Sequence, residues 1–162
     1  MTLEYDIAWT KYMKKARIVP LPLSCWDVFH NYYSEIENYN FIQKDWQIKE
    51  DYLNVVNLEK REIIITNTNQ EIVFATNGIY EMNGWNPFEV IGKSPKIFQG
   101  ALTDEKIRNK IKTAIKNQLP FKEIILNYRK DDSTYLCEIE GHPKFNKKGE
   151  LINYIAFERI AS

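Results

Sequence analysis

Hydrophobic and polar positions fall into two styles of pattern along the chain. In the first, Tyr5, Ala8 or Trp9, Tyr12, Met13 and Ala16 recur at three- and four-residue steps, the spacing of one helix face. Pro20 and Pro22 stop that helix, because proline lacks an N–H and disfavours helical backbone in the residue before it. Ser24 offers a capping hydroxyl for a second helix, Asp27 suits its positive start, and Trp26, Phe29, Tyr33 and Ile36 form its stripe. A third helical segment is expected over Phe41–Tyr52. These stripes are wide and aromatic, so the helices need a surface to pack on.

From Glu62 the pattern changes. "EIIIT" (62–66) and "EIVFAT" (71–76) are β-branched runs joined by the turn-forming "NTNQ", which reads as a hairpin. Short helices are expected at "NGIYEMN" (77–83) and "NPFEV" (86–90), where Asn86 caps and Pro87 fits the first turn. Acidic residues at Asp104 and Glu105 open a longer helix over 103–118, with Ile107, Ile111, Ala114 and Ile115 as its buried stripe. Strands are then expected over 121–130, 134–145 and 151–160. Two strands, several helices and three strands make an α+β fold, an antiparallel sheet with short helices over one face. In the strand at 121–130, Ile124, Leu126 and Tyr128 point one way and Ile125 and Asn127 the other. Both faces are apolar enough to need cover, the second from the N-terminal helices or a second subunit.

Composition narrows the function. Lys+Arg and Asp+Glu both number 22, so the net charge of zero argues against a nucleic-acid binder, which gains affinity from counterion release by a basic face. No apolar run approaches the ~18 residues of a membrane span. Cys25 and Cys137 are far apart and outside any metal-binding spacing, which points to a reducing, cytoplasmic setting without a disulfide framework. The chain carries no phosphate-loop, nucleophile-elbow or metal-hydrolase motif. Glu138 and Glu140 share a strand face, which by itself reads as a pair of surface carboxylates.

Residues 62–160 resemble a PAS domain in "EIVFATNGIYEMNGWNPFEVIGKSPKIFQG", "LNYRKDDSTY" and "GELINYIAFE". The narrower resemblance is to the light-oxygen-voltage (LOV) branch, whose loop typically reads G-R-N-C-R-F-L-Q-G. The loop here, residues 92–100, reads G-K-S-P-K-I-F-Q-G. The resemblance implies a five-stranded PAS sheet over residues 57–162 preceded by a helical extension, residues 1–56. It implies pocket residues at Lys96, Gln99, Lys112, Asn127, Cys137 and Glu158. In the branch a loop cysteine bonds to photoexcited flavin mononucleotide (FMN). Pro95 stands at that position, so the usual adduct chemistry is excluded. Gln99 and Asn127 keep the branch's amides. Lys96 and Lys112 replace phosphate-holding arginines and lose the bidentate fork. Cys137 and Glu158 replace an asparagine and a glutamine. The changed positions weigh against FMN, and the cofactor is left open.

Beside these readings stand plainer ones. The lysines suit solvated surfaces, and Gln99 and Asn127 suit a loop-to-sheet hydrogen bond. Cys137 suits a buried core residue, Pro95 a loop stiffener, and Glu158 a carboxylate paired with a lysine. The residues 103–118 hold no histidine to ligate a haem. The leading expectation is a noncatalytic sensory module acting through ligand sensing, homodimerisation by the N-terminal helices and outer sheet face, or a signalling partner protein. The alternative is an FMN-binding light or redox sensor without a cysteinyl adduct, and the third is an enzyme using Glu158.

Overall fold

Three successive isoleucines in one strand need cover on both faces, and β1 (Glu62–Asn67) has it: Ile63, Ile64 and Ile65 are all buried. The computed structural model describes residues 34–162. The helices expected over residues 1–16 and for most of the segment from Ser24 lie outside the described residues. β1 pairs with β2 (Ile72–Ala75) on one side and β5 (Leu151–Ile160) on the other. β5 continues to β4 (Thr134–Phe145), and β4 to β3 (Phe121–Tyr128). Every pairing is antiparallel, and the order is β2-β1-β5-β4-β3. This is the five-stranded α+β architecture expected from the alternation of patterns.

The segment between β2 and β3 folds over the inner face. It contains α1 (Ile79–Asn83), α2 (Pro87–Val90), a 3-10 turn (Pro95–Phe98) and α3 (Glu105–Lys116). Asn86 and Glu89 form a reciprocal capping box at α2, with Pro87 in the first turn where its missing N–H is harmless. Asp104 caps α3 by accepting the Lys106 N–H at 2.7 Å. α3 is shorter than the 103–118 expected because its flanking residues have other partners. Thr103 Oγ1 donates to the Leu126 carbonyl at 2.8 Å, and Gln118 takes a left-handed φ of 55° that ends the helix. Under these elements lies an inner core that includes Ile64, Ile72, Met82, Phe98 and Ile125.

The outer face has a separate aromatic cover. Tyr39 is fully buried, its ring 5.6 Å from Phe74, 5.3 Å from Tyr52 and 6.4 Å from Trp46. The chain from Glu37 onward forms one compact unit with the sheet. The single helix expected over Phe41–Tyr52 is corrected here. Helical backbone over 34–42 gives way to a 3-10 turn at Gln43–Asp45, an extended Trp46 bridged to Asn146, and a π-helical turn at Asn54–Leu58. Tertiary partners break the periodicity. Trp46 Nε1 donates to Asn153 Oδ1 at 2.9 Å, the Glu50 N–H donates to Gln43 Oε1 at 3.0 Å, and Lys144 Nζ binds the Glu50 carboxylate.

The two-faced reading of β3 holds: Ile125 and Asn127 are buried on the inner face, whereas Ile124 is half exposed on the outer. Cover of the outer face is uneven. It protects β1, β2 and β5, and leaves Ile124 and Leu136 exposed on β3 and β4 at 53% and 52%. Between these zones, buried Arg61 donates to Glu138 and Glu140 at 3.0 Å each, and Arg159 and Lys122 complete the network. Glu138 and Glu140 are therefore ion-paired carboxylates of the outer face, with His142 Nε2 3.0 Å from Glu140.

Candidate functional site

Antiparallel register brings the inward-facing polar side chains together. Asn127 on β3 lies opposite Tyr135 on β4, Ile139 opposite Glu158 on β5, and Glu158 opposite Glu62 on β1. Side chains opposite one another in a sheet share a face, so Asn127, Tyr135, Cys137, Glu158 and Glu62 form one inner wall. α1 adds Asn83 from above. Its backbone carbonyl accepts the Lys130 N–H at 2.9 Å, and the neighbouring Met82 carbonyl accepts Arg129 Nε at 3.1 Å. These two bonds pin α1 to the β3–β4 end of the sheet.

Three polar atoms of this wall are buried without a hydrogen-bond partner: Asn83 Nδ2, Asn127 Oδ1 and Tyr135 Oη. The Tyr135 hydroxyl sits beside both amides, but the geometry makes no satisfied set of bonds. Burial, followed by the nearby Glu158 carboxyl, pushes the Tyr135 phenol well above its ordinary value, so it stays protonated. An unsatisfied buried donor or acceptor costs about 1–3 kcal/mol, and most buried polar groups in folded proteins avoid that cost. The three lie together on one wall, with the Tyr135 hydroxyl next to both amides.

The adjacent part of the wall is acidic. Glu158 is buried, and desolvation moves its pKa up to about 7, opposed by the Cys137 thiol at 3.6 Å and reinforced by Glu62. Burial also raises Glu62, against a bond from Thr76 Oγ1 that lowers it. Gly78 leaves room for the Glu62 carboxylate, which a Cβ at that position would displace. The expectation that Glu158 pairs with a lysine is corrected: its close polar neighbours are Cys137 and Glu62, and its charge is relieved by protonation. Near neutral pH Glu158 thus has a proton to donate, as an amide would. Cys137 is a fully buried core residue, and burial raises its thiol pKa far from the reactive range.

The remaining sequence candidates lie closer to the surface. Gln99 is half-buried just past the 3-10 turn, while Lys96 on that turn and Lys112 on α3 are exposed. Pro95 begins the turn, where its fixed φ suits the backbone, and the Lys96 N–H donates to the capping Ser94 Oγ. Structure thus gathers Asn127, Cys137 and Glu158 on one wall and adds Asn83, Tyr135 and Glu62. The sequence hides these last three because only strand register and the position of α1 bring them in. Among the described residues, no group of three or more His, Cys, Asp and Glu is placed to hold a metal.

The sequence pattern of the PAS domain matches residues 61–159, and the chain belongs to that family. It is a PAS-type sensory module. It is 35% identical over 88 residues to Protein TWIN LOV 1 of Arabidopsis thaliana, covering 54% of this chain and 22% of that protein. It is 32% identical over 87 residues to Phototropin-2 of Oryza sativa subsp. japonica, covering 54% of this chain and 10% of the relative. The chain therefore spans about a fifth or less of these relatives' length. Among solved structures, the dark state of the Aureochrome1 LOV photoreceptor aligns with a TM-score of 0.63 at 24% identity, over 71% of this chain and 87% of that one. The LOV domain of the Erythrobacter litoralis EL346 blue-light activated histidine kinase aligns at 0.59 and 19% identity, over 63% and 96%. These likenesses show the fold. No helix among the described residues is long and apolar enough to cross a membrane.

Proposed function

We propose that this domain is a sensor that holds FMN noncovalently against the inner wall and signals without a cysteinyl bond. The observation that carries the reading is the trio of unpartnered buried atoms on Asn83, Asn127 and Tyr135. A flavin ring edge presents carbonyl acceptors beside an N–H donor. Asn127 and Tyr135 each offer both functions, and protonated Glu158 supplies a further donor. The residues present therefore fit the polar edge of a flavin. Lys96 and Lys112, both exposed, suit a phosphate that remains in contact with solvent. Bound FMN would supply blue-light absorption and redox chemistry. The chain would bind the ring edge through Asn127 and Tyr135, hold a proton at Glu158 and, with Pro95 in the loop, offer no nucleophile there. The LOV relatives, and a similarly folded LOV domain studied with a flavin analogue, support this choice of ligand.

The purified protein is expected to be yellow or to quench the fluorescence of added FMN on titration. Asn127→Ala removes one buried hydrogen bond and should weaken uptake about tenfold, the equivalent of about 1.4 kcal/mol. Colourless protein that leaves FMN fluorescence unchanged would rule this ligand out.

A second reading concerns signal output, and one observation favours it. Ile124 and Leu136 are exposed beside half-buried Leu126 and Tyr128 on the outer face of β3 and β4. We propose that two copies associate through this patch. Sedimentation of the full chain should then show a dimer that Leu136→Glu converts to monomer. A wild-type chain that stays monomeric at high concentration removes the reading.

A further inference from the structure

β3 is an edge strand, and only part of its edge is occupied. The outward Leu126 carbonyl accepts the Thr103 hydroxyl, and the Lys130 N–H beyond the strand goes to Asn83. In an antiparallel ladder alternate residues send both backbone groups to the same side. The outward Leu126 carbonyl therefore places the N–H and C=O groups of Lys122 and Ile124 on the open edge. Beside this end of the strand runs a groove of about 720 Å3 between β3 and α3. Ala114, Leu119 and Phe121 give it apolar surface, and Lys106, Lys110, Lys122 and Glu123 line it as well.

The helix side of the groove is basic. α3 carries Lys106, Arg108, Lys110, Lys112 and Lys116 against Glu105 alone, and none of its residues is buried. Lys110 pairs with Glu123 at 3.3 Å and Lys122 with Glu138 and Glu140. Lys106, Arg108, Lys112 and Lys116 have no ion pair among the described residues. The whole chain is neutral, so this is a local basic face on a balanced protein. Nonspecific binding of a nucleic-acid duplex rests chiefly on charge. Apolar surface and open backbone groups suit a polypeptide.

We propose that the groove docks an extended acidic segment of a partner protein, which adds as a strand to the Lys122–Ile124 edge. Its backbone pairs with the open edge groups, its apolar side chains lie on Leu119 and Phe121, and its carboxylates meet the unpaired Lys106 and share Lys110 with Glu123. The site lies outside the inner wall and is independent of what that wall binds.

The probe is a fluorescein-labelled peptide of alternating glutamate and valine, about eight residues long, a common strand length. Anisotropy on the full chain should show saturable binding, and amide NMR shifts should concentrate at residues 106–124. The double variant Lys106→Glu/Lys110→Gln, both at exposed positions, should bind at least about tenfold more weakly while remaining folded, since a surface pair such as Lys110 with Glu123 adds little to stability. A peptide alternating glutamate and proline keeps the charge but lacks every second N–H and has its φ fixed away from that of a paired strand, and should also bind at least about tenfold more weakly. The proposal is overturned by an absence of saturable binding, by equal binding of the proline peptide or of a single-stranded oligonucleotide, or by an unchanged double variant.

Discussion

Tyr39→Ala is expected to destabilise the domain by about 3–5 kcal/mol, the range for removing a large buried aromatic. Tyr39 is fully buried, and its ring makes edge or tilted contacts with Trp46, Tyr52 and Phe74. Truncation leaves a cavity that three rigid rings fill poorly, so relaxation recovers little. The loss compares with the ~5–15 kcal/mol that stabilises a typical domain. Urea unfolding monitored by tryptophan fluorescence measures it directly. A cost below about 1 kcal/mol would mean that residues 37–58 are only loosely held to the sheet. The same argument bears on truncation. A chain starting at residue 57 loses Tyr39, Trp46, Tyr52 and Val55 together, uncovering Ile63, Ile65 and Phe74.

The sheet was readable because its signals are local. The β-branched runs of β1 and β2, the turn residues between β3 and β4, and the Asn86-Pro87 helix start each name their own structure. The aromatic cover was harder. Phe41–Tyr52 has helical spacing, but Trp46 is drawn into an extended bridge by Asn146 and Asn153, partners about a hundred residues away. The candidate site divides in the same way. Asn127, Cys137 and Glu158 were found through the resemblance to LOV domains. Glu62 looked like the edge of a strand until its register with Glu158 put it on the inner wall. Asn83 and Tyr135 gain meaning only when α1 is placed over β4.

Glu158→Gln is expected to stabilise the protein by about 3 kcal/mol above neutral pH and by less than about 1 kcal/mol near pH 5, close to the ordinary value at which the unfolded chain regains its proton. The sign follows from proton counts. Burial raises the folded-state pKa of Glu158 to about 7, above its ordinary value of 4.5. Below the ordinary value both folded and unfolded chains hold the proton. Between the two values the unfolded chain releases it while the folded chain keeps it. Stability therefore falls as pH rises through this window and levels off above it. Glu62 is raised as well and acts in the same direction. The outer-face carboxylates act in a different window. Burial raises Glu140, but bonds from His142 and Arg61 outweigh it and lower its pKa to about 2, so its contribution is lost only in acid. Glutamine keeps the shape of Glu158, needs no proton, and still accepts from Cys137. Urea midpoints of both proteins at about pH 5 and about pH 8.5 make the comparison. Parallel wild-type and variant curves across that range would show that Glu158 ionises in the fold as freely as in water.

The strand order also dictates a sequence of events during synthesis. β5 lies between β1 and β4, yet it is the last of the five strands to leave the ribosome. Before it emerges, β1–β2 and β3–β4 exist only as two unconnected hairpins, each with an unpaired edge where β5 belongs. Neither Glu62 nor Cys137 yet has Glu158 beside it. The inner wall is thus completed in a single late step, when one strand joins both halves. Nascent chains halted before residue 151 should accordingly be protease-sensitive, with protection arriving abruptly once residue 160 has cleared the exit tunnel.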